Sequence, residues 1–293
     1  MSTGFLVLAN ASAGSADDEA ITAVVERLRA AGPVDTARTG SEDEVDDALG
    51  DLGERVLVVA GGDGSVHTAV ARLRSLGLAG TAAVGVVPLG TGNDLARGLG
   101  IPTEPVEAAG LVASGLAARQ ADLIVDDAGG VVVNAVHAGL GAEAAERAAG
   151  LKDSLGPLAY PLGALIAGVR ESGWDLEVVA DGTSVHRGPV LMVGVGNGSS
   201  IGGGTELFPG ALVDDGQADV VIVTSVGPAA RTAFAGALRS GDHVARDDVL
   251  ALRAADVVVS GDPVRHNADG EVTDEIERRR YTVEPAAWRL IRP

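Results

Sequence analysis

At 293 residues the chain is long enough for two domains that each bury a core, and a hydrophobic fraction of 46% excludes wholesale disorder. The absence of cysteine excludes a disulfide framework and a thiol nucleophile, and five histidines make a zinc site a poor expectation. A net charge of −19 argues against duplex nucleic acid as a partner and weakens attraction to an anionic membrane surface.

The apolar run from Phe5 to Ala9 reads as a buried strand; it lacks a basic leader and is too short for a signal sequence or a membrane span, so a cytoplasmic location, peripheral at a membrane at most, is expected. Asp17 to Ala31 reads as an amphipathic helix with acid in its first turn. Val56 to Ala60 is a second buried strand and runs into GGDGSVHTAV, where glycines make a turn and a helix begins. Ala83 to Val87 is a third strand, followed by PLGTGNDLARGLGIP, a turn and a short helix that Pro102 stops. A further helix is expected over Val106 to Leu116. Strands alternating with helices predict an α/β domain with a parallel sheet over residues 1–122.

Beyond Leu123 the pattern changes to short strands separated by turns, at Val131–Val136, Leu176–Ala180, Val190–Val195, Ala218–Val223, Val249–Leu252 and Val257–Ser260. This spacing predicts a mainly antiparallel β-sandwich domain over 123–285. One apolar helix is expected at Ser154–Arg170, and residues 286–293 are expected to return to the first domain.

Two loops carry the chemical signal. Gly61-Gly62-Asp63-Gly64-Ser65 sits where a parallel strand gives way to a helix, the edge at which open α/β sheets bind ligands. Backbone N–H groups and a helix N-terminus can hold phosphate oxygens there. A carboxylate inside such a loop repels phosphate unless Mg²⁺ or an ordered network compensates it. Pro88-Leu89-Gly90-Thr91-Gly92-Asn93-Asp94 follows the next buried strand, at the same sheet edge, with Asp94 expected to cap the helix starting at Leu95. There is no GxxxxGK[ST] P-loop and no GxGxxG after the first strand.

GGDGS followed some two dozen residues later by PLGTGNDLAR resembles the catalytic domain shared by diacylglycerol kinases, sphingosine and ceramide kinases and bacterial lipid kinases. Asn10-Ala11-Ser12-Ala13-Gly14 resembles the family's first loop. Further matches are Asn134 with Gly139 and Gly141, Lys152 to Tyr160, Asn197, glycines 202 to 204, Asp215-Gly216 and Asp269-Gly270-Glu271. The resemblance implies an NAD-kinase/phosphofructokinase-like first domain and a kinase using ATP and Mg²⁺ on a lipid hydroxyl, most simply that of diacylglycerol, giving phosphatidic acid.

It also assigns roles. ATP would be surrounded by Asn10, Ala11, Ser12, Ala13 and Gly14; by Thr39; by Gly61, Gly62, Asp63, Gly64, Ser65, Val66, His67 and Thr68; and by Thr91 and Asn93. Asp269 would be the base that takes the hydroxyl proton, with Asp63 as the rival base, and Glu271, Asp63 and Asp94 completing an acidic network around Mg²⁺. Asp215, with Leu212 and Gln217, resembles a segment holding a second, structural Mg²⁺; an ordinary acidic turn is the alternative. Asn-Ala-Asp-Gly-Glu equally suits a hairpin turn at Asp269. The chain departs from the family pattern at Ala11, Ala13, Ser65 and Thr68, the last standing where many relatives carry an acid.

The implied partner is a lipid met transiently at a membrane surface, with no nucleic acid, no transmembrane segment and a homodimer allowed. The apolar stretch Leu158 to Val169 could line an acyl cleft or form a core helix. A kinase of the same class acting on a soluble acceptor would need a basic pocket, which a chain whose single lysine is Lys152 supplies poorly. A regulatory nucleotide-binding module without turnover is the remaining alternative, and the retained D-G-E triplet argues against it.

Overall fold

The computed structural model describes residues 4–11, 14–139, 173–224 and 226–293. Ser12, Ala13, Gly141, the expected helix Ser154–Arg170, Lys152 and the stretch Leu158–Val169 lie outside the described residues. Two compact units are formed, one from residues 1–123 and 285–293 and the other from 124–284.

The first unit starts with β1 (Phe5–Asn10), α1 (Ser15–Arg29), β2 (Val34–Thr39), α2 (Glu42–Gly50), β3 (Val56–Gly61), α3 (Asp63–Ser75), β4 (Ala83–Pro88), α4 (Asp94–Gly98) and α5 (Pro105–Val112). The strands β2, β1, β3 and β4 lie side by side, all parallel. β1 and β3 sit inside the sheet and are buried along almost their whole length, which is why both read as continuous apolar runs. α1 buries Ile21, Val24, Val25 and Leu28, one face at helical spacing, with Asp17 and Asp18 in its first turn and Arg27 and Arg29 in its last.

β2 and α2 were not anticipated. β2 is an edge strand, its residues half-buried or exposed, so its sequence VDTART carries no apolar run. α2 is fixed by a hydrogen bond from the Glu44 amide to Ser41 Oγ (3.3 Å) and by the Gly40 amide donating to Glu44 Oε2 (2.6 Å). It is tied to α3 by Arg72, whose Nε donates to Asp46 Oδ1 (2.7 Å) and whose Nη1 donates to Glu42 (3.1 Å); the guanidinium holds the Asp46 carboxyl below the usual carboxylate range.

The second unit takes in β6 (Val131–Val132), β7 (Ala135–Gly139), β8 (Trp174–Ala180), β9 (Thr183–Val190), β10 (Met192–Gly196), the short pair β11 (Ser200–Ile201) and β12 (Thr205–Glu206), β13 (Ala218–Val223), α6 (Pro228–Ser240), β14 (Val249–Ala254), β15 (Asp256–Val264), β16 (His266–Ala268) and β17 (Glu271–Val272). The unit boundary falls inside two strands, β5 (Arg119–Asp126) and β18 (Ile276–Leu290). One antiparallel sheet joins the first half of β18 to β15, β8 and β9; the other runs β14-β13-β10-β7-β16-β17. Leu176, Val178, Val257 and Val259 of the first share a core with Val193, Val220 and Ile222 of the second, so the unit is an antiparallel sandwich. The strand expected over Val131–Val136 is interrupted at Val133 and Asn134, whose amides donate to a side chain instead of a strand.

Residues Pro285–Pro293 belong to the first unit, where Arg289 and Leu290 pair in parallel with Ala83 and Val84. Buried Asp122 fixes this return: its carboxylate accepts from the Ala286 amide (2.7 Å) and its carbonyl from Trp288 Nε1 (3.1 Å).

The sandwich core also holds titratable groups. His266 Nδ1 shares a 2.5 Å hydrogen bond with the Tyr281 hydroxyl, and neighbouring His137 Nδ1 has no partner among the described residues. Burial lowers His137 to a pKa of about 4; burial, then the Arg279 and His137 charges, lower His266 to about 4 as well. Burial raises the Tyr281 hydroxyl above its ordinary value. Because both histidines bind protons less readily when folded, their contribution is intact above about pH 6.5 and is lost as pH falls toward 4. Between pH 7 and pH 5 each should cost about 2 kcal/mol of stability, and in denaturant titrations His137→Gln should flatten that decline by one such step.

Candidate functional site

The strand register brings the two glycine loops together within the first unit. Gly61 lies beside Pro88 across β3 and β4, and the Leu89 amide donates to the Gly61 carbonyl at 3.0 Å. The loops then touch backbone to backbone: a Cβ on Gly90 would stand 2.6 Å from the Gly62 Cα, and one on Gly62 would stand 3.1 Å from the Gly90 Cα. Glycine at position 90 is demanded by this contact, and at position 62 it is favoured. Gly61 is enclosed as well, since a Cβ there would meet Ser65 Oγ at 2.3 Å.

Asp63 completes the junction. Its Oδ2 accepts from the Asp94 amide (3.1 Å) and its Oδ1 from the Leu95 amide (3.3 Å), so it caps α4 from the other loop. This corrects the expected role of Asp94, which is the first residue of α4 and itself buried; the helix starts one residue early, after Asn93 in the left-handed region at φ 51°. The Asn93 amide is spent on its own loop, accepting from the Gly90 N–H (3.1 Å) and donating to the Gly90 carbonyl (2.6 Å). Of the two ways to compensate a carboxylate in a phosphate-type loop, the structure displays the ordered network.

Gly64 differs from its neighbours. A Cβ there would meet nothing within 4 Å among the described residues and its φ is not in the left-handed region, so none of them requires glycine. It stands in the first turn of α3, where helix amides lack an intrahelical acceptor. A missing side chain in such a place suits close approach of a ligand's oxygens. Gly14, at the start of α1, is open in the same way.

Two depressions adjoin these loops. One, of about 320 Å³, is lined by Asn10, Thr39, Ser65 and Thr68, all named from the sequence, together with Gly40, Ser41, Glu42 and Val45. The second, of about 180 Å³, is lined by Asn10, Gly61, Gly62 and Ser65 with Asp17, Ile21 and Leu89. The Ser41–Val45 wall was missed with α2; the S-x-x-E spacing of Ser41 and Glu44 was the available signal. Val66 is buried, so its side chain faces the core and offers a ligand nothing. Thr68 Oγ1 donates to the Gly64 carbonyl at 3.0 Å. His67 is half-buried on α3, and Ala11 and Thr91 are exposed.

In the second unit, Asp269 and Gly270 form the two-residue turn between β16 and β17, with φ of 49° and 98°, the pairing a type I′ hairpin requires. The hairpin alternative is therefore realised, but the side chain does more. Asp269 Oδ2 accepts from the Val133 amide (2.6 Å), and Oδ1 from Asn134 (3.0 Å) and Ala135 (2.9 Å). Buried amides brace this nest: Asn197 Nδ2 donates to the Val133 carbonyl (2.8 Å) and Asn134 Nδ2 to the Ser200 carbonyl (2.7 Å). Glu271, next along the hairpin, is exposed.

Asp215 lies on a surface turn. Its Oδ1 accepts from the Gln217 amide (3.1 Å) and its Oδ2 contacts the Arg253 guanidinium. Among the described residues no three His, Cys, Asp or Glu side chains are grouped to hold a metal, and no helix is long and apolar enough to cross a membrane.

Residues 4–125 match the diacylglycerol kinase catalytic domain, and residues 134–292 match the YegS C-terminal NAD kinase beta sandwich-like domain. A protein of Xanthomonas campestris pv. campestris (strain 8004), named "Probable lipid kinase YegS-like", is 35% identical over 94% of this chain and 92% of its own. Another of that name, from Pseudomonas aeruginosa (strain UCBPP-PA14), is 34% identical over 98% of this chain and 93% of its own. The chain belongs to the YegS-like lipid kinase family. A crystal structure of a diacylglycerol kinase from Bacillus anthracis str. Sterne matches with a TM-score of 0.79 at 22% identity, covering 100% of this chain and 98% of that one, a likeness of fold.

Within this lipid-kinase scaffold the glycines separate by cause. Gly90→Ala should lower stability by about 1–3 kcal/mol through overpacking against Gly62. Gly64→Ala should lose none, and gain up to about 0.5–1 kcal/mol from better helix propensity. Chemical denaturation of the two variants beside the parent checks both.

Proposed function

We propose that the chain transfers the γ-phosphoryl group of ATP to a lipid hydroxyl, with diacylglycerol as the acceptor and phosphatidic acid as the product. The observation that carries this is the locked pair of glycine loops at the C-terminal edge of a parallel sheet, with Gly64 left open in a helix's first turn. That arrangement suits a triphosphate, whose oxygens would be received by amides at the start of α3, with the nucleoside against the wall from Thr39 to Val45.

Asp63 serves as a positioning residue, because both of its oxygens hold α4. The base is Asp269. Three backbone amides fix its carboxylate in orientation, which positions it for a hydroxyl presented in one geometry. The acceptor oxygen forms a bond to Pγ as the bond from Pγ to the β-bridging oxygen breaks; the hydroxyl proton passes to Asp269 and ADP departs. Mg²⁺ is usually held by one or two carboxylates plus substrate phosphates; within the first unit Asp94 would be the candidate carboxylate, and the ion would neutralise charge on the transferring phosphoryl. The lipid is met transiently at a membrane surface.

The test is incubation with labelled ATP, Mg²⁺ and a panel of lipids in mixed micelles. Diacylglycerol should be labelled by the wild type, and Asp269→Asn should reduce the rate by about 10²–10⁴ while still binding ATP. Gly64→Ala, which is expected to fold as stably as the parent, should weaken ATP binding by roughly 10–100-fold because its methyl displaces the phosphate from the charge-assisted hydrogen bonds. Binding of ATP with no lipid labelled would overturn the kinase assignment in favour of a nucleotide-sensing module.

A further inference from the structure

The turn at Asp215 is where the sequence resembles a structural Mg²⁺ segment, and the residues present do not fit that ion. Asp215 Oδ1 is engaged by the Gln217 amide, closing a local turn that continues through Gly216 in the left-handed region at φ 76°. Oδ2, the oxygen a cation would take, is in contact with the Arg253 guanidinium. Arg253 arrives there by strand register: on β14 it lies directly opposite Asp219 of β13, with its Nε 3.9 Å from Asp219 Oδ2. One guanidinium thus stands between two carboxylates four residues apart.

Mg²⁺ takes six oxygens in octahedral array, several of them usually water, and the carboxylate is its main anionic ligand. Here that carboxylate is matched by a planar cation that cannot be deprotonated and is tethered by the sheet. Bringing Mg²⁺ to the same oxygen would place a dication beside a fixed positive charge. We infer that in this chain Arg253 takes the place of a structural metal ion at Asp215, so that the turn from Leu212 to Gln217 is held by an internal cation and folds without metal.

Melting curves of the full chain decide this without any assay of turnover. Wild type, Arg253→Gln, Asp215→Asn and the double variant are melted in chelator and in millimolar MgCl2. Wild type should melt alike in both, apart from any Mg²⁺ shift that Asp215→Asn shows equally and that therefore arises elsewhere. Arg253→Gln should melt about 2–4 °C lower in chelator, the scale expected for a half-exposed ion pair in a unit of this size, and should recover in Mg²⁺ unless Asp215 is also replaced. A wild-type Mg²⁺ stabilisation that Asp215→Asn abolishes, or an Arg253→Gln melt indistinguishable from wild type in chelator, would overturn the inference.

Discussion

The first unit of this protein depends on a contact between two backbones. Gly62 and Gly90 approach so closely that a side chain on Gly90 would collide with the Gly62 backbone and one on Gly62 would crowd Gly90, and the Asp63 carboxylate spans the junction to the first amides of α4. A loop-to-loop contact of this kind supplies no apolar burial of its own; it is held by the parallel register of β3 and β4 below it and by charge-assisted hydrogen bonds above. The consequence is a rigid rim. Groups that bind phosphate through amides must be fixed before the ligand arrives, since ordering them on binding would consume the interaction energy.

The second unit treats its key carboxylate the same way by different means. Asp269 sits in a two-residue turn that only a few residue types enter at positive φ, and it reaches back across 134 to 136 positions to three consecutive amides. The interruption of the strand around Val133 is the other side of this bond: amides that donate to a carboxylate cannot also join a ladder. Asn197 and Asn134, both buried, hold the surrounding carbonyls and so keep those amides aimed. In both units a carboxylate is positioned by backbone N–H groups.

What was legible in the sequence follows from how local each cause is. Strands β1, β3 and β4 were readable because central parallel strands are apolar on both faces, and Ala218–Val223 was readable with its observed ends for a similar reason. β2 escaped because an edge strand need not be apolar. α2 escaped although its cap, Ser41 with Glu44, was written in the sequence, because its turns are mostly acidic and bury only Val45 and Leu49. The glycine loops and the D-G-E turn were visible as motifs. The exchange of roles between Asp63 and Asp94 was not, since the cap comes from 31 residues away and local preference points to the nearer acid. The same limit applies to Asp215, whose cationic neighbour is set by pairing between β13 and β14.

An excess of acid over base, at a net charge of −19, sharpens the chemical problem of holding a triphosphate. With one lysine in the chain, fixed positive charge comes almost wholly from arginine, and the arginines placed here are largely occupied: Arg72 by Asp46 and Glu42, Arg280 by Asp256, Arg246 by Asp248, Arg253 by Asp215. Arginines committed to carboxylates stabilise the scaffold but contribute little field toward a ligand, because each pair is nearly neutral at a distance. Among the described residues, what this edge offers a polyanion is chiefly backbone: amides at the start of α3 and the loop between β4 and α4, brought to one edge by register and kept there by Asp63. A site built from dipoles binds weakly to phosphate alone and depends on a soluble cation travelling with it, which is the electrostatic reason the ligand proposed for this edge is a nucleotide–Mg²⁺ complex more than a free anion.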